Sequence, residues 1–119
     1  MQKTIFIVDD SKMNLIIIKE ALKDLYRVMT IQSAEKMFSL MEKLTPDLIL
    51  LDILMPETDG FEALRLLRNN PAYANISVIL LSGTIDDSIK EKGLELGVVD
   101  FILKPFEKEN LLSMIGKYI

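Results

Sequence analysis

Three short apolar runs in this chain stop abruptly at charged residues, and that pattern restricts its fold more than any other feature. Thr4-Ile5-Phe6-Ile7-Val8 ends in Asp9-Asp10, Leu48-Ile49-Leu50-Leu51 ends in Asp52, and the run from Val99 to Leu103 ends in Lys104-Pro105. A run of branched aliphatic residues between turn-forming residues reads as a strand buried on both faces, as in a parallel sheet covered by helices. A carboxylate at the tip of such a strand is costly unless it has a partner or a role. Where parallel strands end together, three acids and one lysine converge.

The remaining segments supply the crossovers that a parallel sheet requires. Strand-like runs near Lys3-Val8, Tyr26-Ile31, Leu48-Leu51, Ile76-Leu81 and Phe101-Leu103 alternate with amphipathic helical segments near Lys12-Leu25, Ala34-Leu44, Phe61-Asn69, Ser88-Leu96 and Lys108-Tyr118. Alternation of this kind predicts an α/β fold of five βα units, a doubly wound, flavodoxin-like (βα)5 sheet. The second run is the most polar and reads as an edge strand. Ser33, Asp59 with Glu62 three residues on, and the stretch from Asp86 to Ser88 offer helix N-caps, while Gly97 stands where a left-handed helix stop is expected. Right-handed crossovers place ligands outside the carboxyl ends of the strands. Asp9, Asp10 and Asp52 can meet there only if the first and third strands are neighbours, which selects the order 2-1-3-4-5.

At 119 residues, half of them hydrophobic, the chain has room for one domain, residues 1–119, with a sizeable core. No apolar stretch approaches the ~20 residues of a membrane span and no signal peptide opens the chain, so a soluble cytoplasmic protein is expected. A net charge of −4 leaves no broad basic surface for direct contact with nucleic acid. The chain has neither cysteine nor histidine. That removes thiolate chemistry, the commonest general base and imidazole-rich metal sites, leaving oxygen ligands suited to a hard cation.

Three clustered carboxylates repel one another, and Mg²⁺ is the cheapest neutraliser among oxygen ligands, with Mn²⁺ the alternative ion. Lys104 adds a positive point charge, and Ser82, ending Val78-Ile79-Leu80-Leu81, adds a hydroxyl donor. These are fittings for a phosphoryl group, with Asp52 as the attacking carboxylate.

Asp9-Asp10 after the first strand, Asp52 within Leu50-Leu51-Asp52-Ile53-Leu54-Met55-Pro56, then Asp59-Gly60, Ser82-Gly83 and Lys104-Pro105-Phe106 together resemble the receiver domain of two-component response regulators, of the chemotaxis-regulator kind. The likeness spans nearly the whole chain, and five motifs in order are far more specific than any one of them. It implies that Asp52 is the phospho-acceptor. It also implies that Asp10 and the backbone carbonyl of Leu54 bind Mg²⁺, with Asp9 helping directly or through water. Ser82 would be the switch hydroxyl, Phe101 the switch aromatic and Lys104 the phosphate-pairing cation, with a cis bond before Pro105. Ser82-Gly83 stands where Thr-Ala is frequent in that family, and Phe101 lacks the hydroxyl of the common tyrosine.

The function this predicts is a phosphorylation-controlled binding switch rather than an enzyme acting on outside substrates. The phosphoryl group would come from a sensor histidine kinase, a histidine phosphotransfer protein or a small acyl phosphate, since no histidine is present to carry it. The output would be a downstream protein or a tethered output domain, reached through the face of the fourth helix, fifth strand and fifth helix, with a phosphorylation-dependent dimer as one form. Met13, Leu15 and Ile16 to Ile18 make an apolar run too continuous for one buried stripe, which reads either as partly exposed to meet the donor or as wholly core. The alternative from the enzyme class is a Mg²⁺-dependent aspartyl-phosphate hydrolase acting on small phosphate esters. Such enzymes usually carry a second acid two residues after the nucleophile, where this chain has Leu54. A flavodoxin-like flavin module would need a phosphate loop after the first strand, where Asp9-Asp10 would repel the ligand.

Overall fold

The computed structural model describes residues 2–119. Its strands are β1 (Thr4–Val8), β2 (Arg27–Ile31), β3 (Leu48–Asp52), β4 (Ser77–Ser82) and β5 (Asp100–Leu103), alternating with α1 (Lys12–Leu22), α2 (Ala34–Met41), α3 (Gly60–Asn69), α4 (Asp87–Glu95) and α5 (Lys108–Gly116). All pairings are parallel and the order is β2-β1-β3-β4-β5. The most polar strand, β2, lies at an edge as its composition predicts.

The central strands β1 and β3 are buried along their whole length, and their alternate side chains feed two cores. Phe6, Val8, Ile49 and Leu51 pack with Met37, Leu64 and Leu67 on the side of α2 and α3. Ile5, Ile7, Leu48 and Leu50 pack with Leu15, Ile18, Leu111 and Ile115 on the side of α1 and α5. A strand that must satisfy two apolar layers cannot alternate polar and apolar residues, which explains its unbroken aliphatic run.

Register brings the charged ends together. Val8 is level with Leu51 across β1 and β3, so Asp9 and Asp52 follow side by side. Asp52 lies level with Leu81, and the Lys104 N–H donates to the Ser82 carbonyl at 2.7 Å, so the ends of β4 and β5 join the same edge. At Gly60, a Cβ would stand 2.4 Å from the Asp52 carbonyl oxygen; only glycine lets α3 start against the strand that carries Asp52.

Helix ends differ from the sequence reading where local hydrogen bonding outcompetes the apolar stripe. α1 stops at Leu22, not Leu25, because the N–H groups of Leu25 and Tyr26 both turn back to the Leu22 carbonyl and Leu25 stays exposed. α2 ends at Met41, three residues before Leu44, where Lys43 and Leu44 share the Leu40 carbonyl. α5 ends at Gly116, and the Tyr118 hydroxyl instead donates to Asp100 at 2.8 Å. Ser33, Asp59 and Asp86 cap α2, α3 and α4 as expected, and Gly97 takes φ 75°. Glu62 does not complete a capping box; its side chain pairs with Arg65 at 3.3 Å.

At the opposite edge of the sheet, the Arg68 guanidinium of α3 donates to four carbonyls. Nε bonds Leu96 at 2.7 Å, one terminal nitrogen bonds Ala74 and Ile76 at 3.0 and 2.8 Å, and the other bonds Gly97 at 3.1 Å. This ties the C-terminal end of α4 to α3 and to the start of β4. Arg68→Met should lower stability by about 2–4 kcal/mol, because those carbonyls lose their donor. A urea midpoint unchanged from wild type would show that the contact is not structural.

Candidate functional site

Asp9, Asp10 and Asp52 present carboxylate oxygens within 4.8 Å of one another. Asp9 is fully buried and Asp52 is 4% exposed, while Asp10 faces solvent. Lys104 reaches across from the end of β5 and donates to Asp9 Oδ2 and to Asp52 Oδ1, both at 2.9 Å. One ammonium therefore balances two nearly dry carboxylates, and the trio keeps a net negative charge before Asp10 is counted.

Asp9 has two further donors. The Ser11 N–H meets Oδ1 at 2.9 Å, and the Asn14 side-chain amide meets Oδ2 at 3.1 Å. Asp52 receives only the lysine among the described residues, and its second oxygen is open. The difference appears in its acidity. Burial pushes the Asp52 carboxyl up to about 6 from an ordinary 3.8; Lys104 opposes this, and the charges of Asp9 and Asp10 add to it. Burial also works against the charge on Lys104, yet its hydrogen bonds and attraction to Asp9 and Asp52 prevail and raise its pKa. Hard oxygen donors with uncompensated negative charge fit a divalent cation such as Mg²⁺, which would remove the repulsion.

The loop after β3 closes through the Gly60 N–H to the Ile53 carbonyl at 2.8 Å, passing Glu57 at φ 66°, a left-handed conformation uncommon for that residue. The Thr58 hydroxyl donates to Glu35 at the start of α2 and ties this loop down. The Leu54 side chain is 78% exposed, and its carbonyl accepts no hydrogen bond among the described residues.

Ser82 is buried at the tip of β4, but its hydroxyl is occupied. Oγ donates to the Thr84 carbonyl at 2.6 Å and accepts from the Thr84 N–H at 3.2 Å. The Phe101 ring is half-buried against α4, where a Cβ on Gly93 would lie 2.6 Å from it. The bond between Lys104 and Pro105 is cis, as the resemblance implies. Sequence motifs led to Asp9, Asp10, Asp52, Ser82 and Lys104, and all five stand at this edge. They did not lead to Ser11 and Asn14. The only trace of that pair was a serine followed three residues later by asparagine at the start of an apolar helix.

Comparison with known proteins gives one family. The model described as response regulator receiver domain matches residues 5–116. A probable cyclic di-GMP phosphodiesterase of Vibrio cholerae is 35% identical over 118 residues, covering 99% of this chain and 27% of that protein. The chain thus spans about a quarter of that relative's length. Among solved structures, the chemotaxis protein CheY4 of Vibrio cholerae superposes with a TM-score of 0.95 at 25% identity, all of both chains being covered. The receiver domain of a sensor histidine kinase of Pseudomonas aeruginosa, solved with a magnesium ion coordinated in its active site cleft, gives 0.88 at 26% identity over 99% of this chain and 98% of that one.

An acid whose native pKa lies above its unfolded value makes the folded state hold more protons between the two, so its stability falls as pH rises through that window. For Asp52 the window runs from 3.8 to about 6. Without metal, the stability advantage of Asp52→Asn over wild type should grow from near zero at about pH 4 to on the order of 2 kcal/mol at about pH 7. Thermal melts across this range check it; a gap that does not change with pH would contradict it.

Proposed function

Since this chain belongs to the response regulator receiver domain family and is a receiver of two-component signalling, we propose that Asp52 takes a phosphoryl group from a phosphohistidine donor and that the product switches partner binding. The observation that carries this reading is the Asp52 carboxylate, buried, one oxygen open, with a lysine 2.9 Å away and two acids beside it. The P–N bond of the donor breaks as the bond from phosphorus to an Asp52 oxygen forms, and the imidazole leaves with the electron pair and takes up a proton. Lys104 pairs with the phosphoryl oxygens and offsets their charge. Asp10, Asp52 and the Leu54 carbonyl would hold Mg²⁺, with Asp9 acting through water because its three donors occupy both oxygens. The bound ion supplies charge neutralisation for the incoming phosphate. The magnesium in the Pseudomonas receiver supports this choice of ion.

Ser82 can serve the phosphate only by releasing Thr84. That exchange would carry the segment Gly83-Thr84-Ile85 with it and alter the face of α4, β5 and α5, where Ile85, Phe101, Leu103, Phe106 and Met114 line a groove of about 530 Å³. An output protein or tethered output domain, or a second copy after phosphorylation, would read this face. Met13, Ile16 and Ile17 of α1 are 65%, 62% and 48% exposed, as the uninterrupted apolar run implied, and they form the natural landing surface for a kinase or phosphotransfer protein. Such partners, and a chain with no helix among the described residues long and apolar enough to cross a membrane, suit a cytoplasmic place of action.

Incubation with acetyl phosphate and Mg²⁺, followed by intact mass, should give a single phosphoryl adduct that is absent with a chelator and in Asp52→Asn. Lys104→Ala should slow its formation roughly 100-fold. An adduct that persists in Asp52→Asn would end the assignment. In Ser82→Ala the adduct should form while NMR shifts beyond residue 85 shrink; full-sized shifts would exclude the hydroxyl route.

A further inference from the structure

Asn14 belongs to none of the motifs, yet it touches the buried acid. Ser11 opens α1 and works in both directions: its N–H donates to Asp9 Oδ1 at 2.9 Å, and its hydroxyl caps the Asn14 N–H at 3.3 Å. The cap fixes the first helical turn. From there the Asn14 amide nitrogen reaches back to Asp9 Oδ2 at 3.1 Å, the same oxygen that receives Lys104 at 2.9 Å. Only the nitrogen of that amide can face a carboxylate, since its oxygen would repel it. Asp9 is fully buried, so its oxygens depend on these donors.

The lysine is shared. It bridges Asp9 and Asp52, and a phosphoryl group on Asp52 would bring roughly two negative charges within its reach. A lysine that turns toward that group gives up Asp9. If nothing else held Oδ2, a buried charged oxygen would be left bare during the transfer, a penalty worth about tenfold or more in rate.

Building on the reading of Asp52 as phospho-acceptor, we propose that Asn14 is a positioning residue for phosphoryl transfer, holding Asp9 Oδ2 while Lys104 moves from that oxygen to the transferring phosphoryl group. Leucine at this position would keep the size and lose the donor. The role differs from orienting a metal ligand, because outer-shell orienters typically change metal affinity by about 10–100-fold.

The test uses acetyl phosphate, so that no docking partner intervenes, on wild type, Asn14→Leu, Lys104→Met and the double variant. Adduct formation is followed by mass at saturating Mg²⁺, and the Mg²⁺ dissociation constant is taken from amide NMR shifts without phosphodonor. Asn14→Leu should slow phosphorylation about tenfold and leave the Mg²⁺ dissociation constant within about threefold. In the Lys104→Met background the same change should alter the rate less than about twofold, because no lysine remains to be released. Equal rates in wild type and Asn14→Leu, an equal loss in both backgrounds, or a parallel fall in Mg²⁺ affinity would each overturn the proposal. No adduct on wild type would overturn the Asp52 reading itself. Asn14→Ala, which favours the helix, replaces the leucine variant should that one fail to fold.

Discussion

Two carboxylates in the dry end of a parallel sheet share one ammonium, and the rest of the structure is arranged around that imbalance. Placing Asp9 and Asp52 side by side needs β1 and β3 as neighbours in register; placing Lys104 within 2.9 Å of both needs a fifth strand whose end meets theirs. Buried ion pairs seldom stabilise a fold on balance, and one cation for two anions is worse than a matched pair. The raised pKa of Asp52 is the local sign of that cost. A site that pays in this way for an unsatisfied oxygen is poised to gain from a cation and a phosphoryl group.

The same economy runs through the proposed switch. Each group that would bind a phosphate is engaged elsewhere: Lys104 with two acids, Ser82 with the Thr84 carbonyl. Activation is then an exchange of partners rather than the making of contacts from nothing, and the two arrangements can differ by little free energy. Arg68 pins the C-terminal end of α4 through the Leu96 and Gly97 carbonyls, so a pull on Gly83-Thr84-Ile85 acts on the opposite end of a helix that is fixed at its tail.

Much of this was legible in the sequence because it rests on strong, local physics. The aliphatic runs of β1 and β3, bounded by turn-forming residues, read as doubly covered strands, and charge at their tips has few tolerable places, whereas the equally unbroken Leu15 to Ile18 is helical. Strand order followed from requiring the acids to meet. The parts that were not legible depend on competition over short distances. Whether Leu25 or Leu44 continues a helix is decided by two N–H groups sharing one carbonyl, which periodicity cannot register. Nothing in the sequence marks Arg68, because its four carbonyl partners come from segments that only the folded chain brings near. Asn14 was invisible for a related reason: an amide near a carboxylate carries no charge signature, and its aim depends on the Ser11 cap.

The central claim is that Lys104 and Ser82 abandon their present partners when a phosphoryl group arrives. It is tested most directly by a crystal structure of the chain with Mg²⁺ and beryllofluoride, a stable mimic of the phosphoryl group on Asp52. The account predicts the Lys104 ammonium on a fluorine and away from Asp9, Asn14 still on Asp9 Oδ2, and the Ser82 hydroxyl turned from Thr84 to a second fluorine. A structure in which the mimic is bound while Lys104 keeps both carboxylates and Ser82 keeps Thr84 would contradict it.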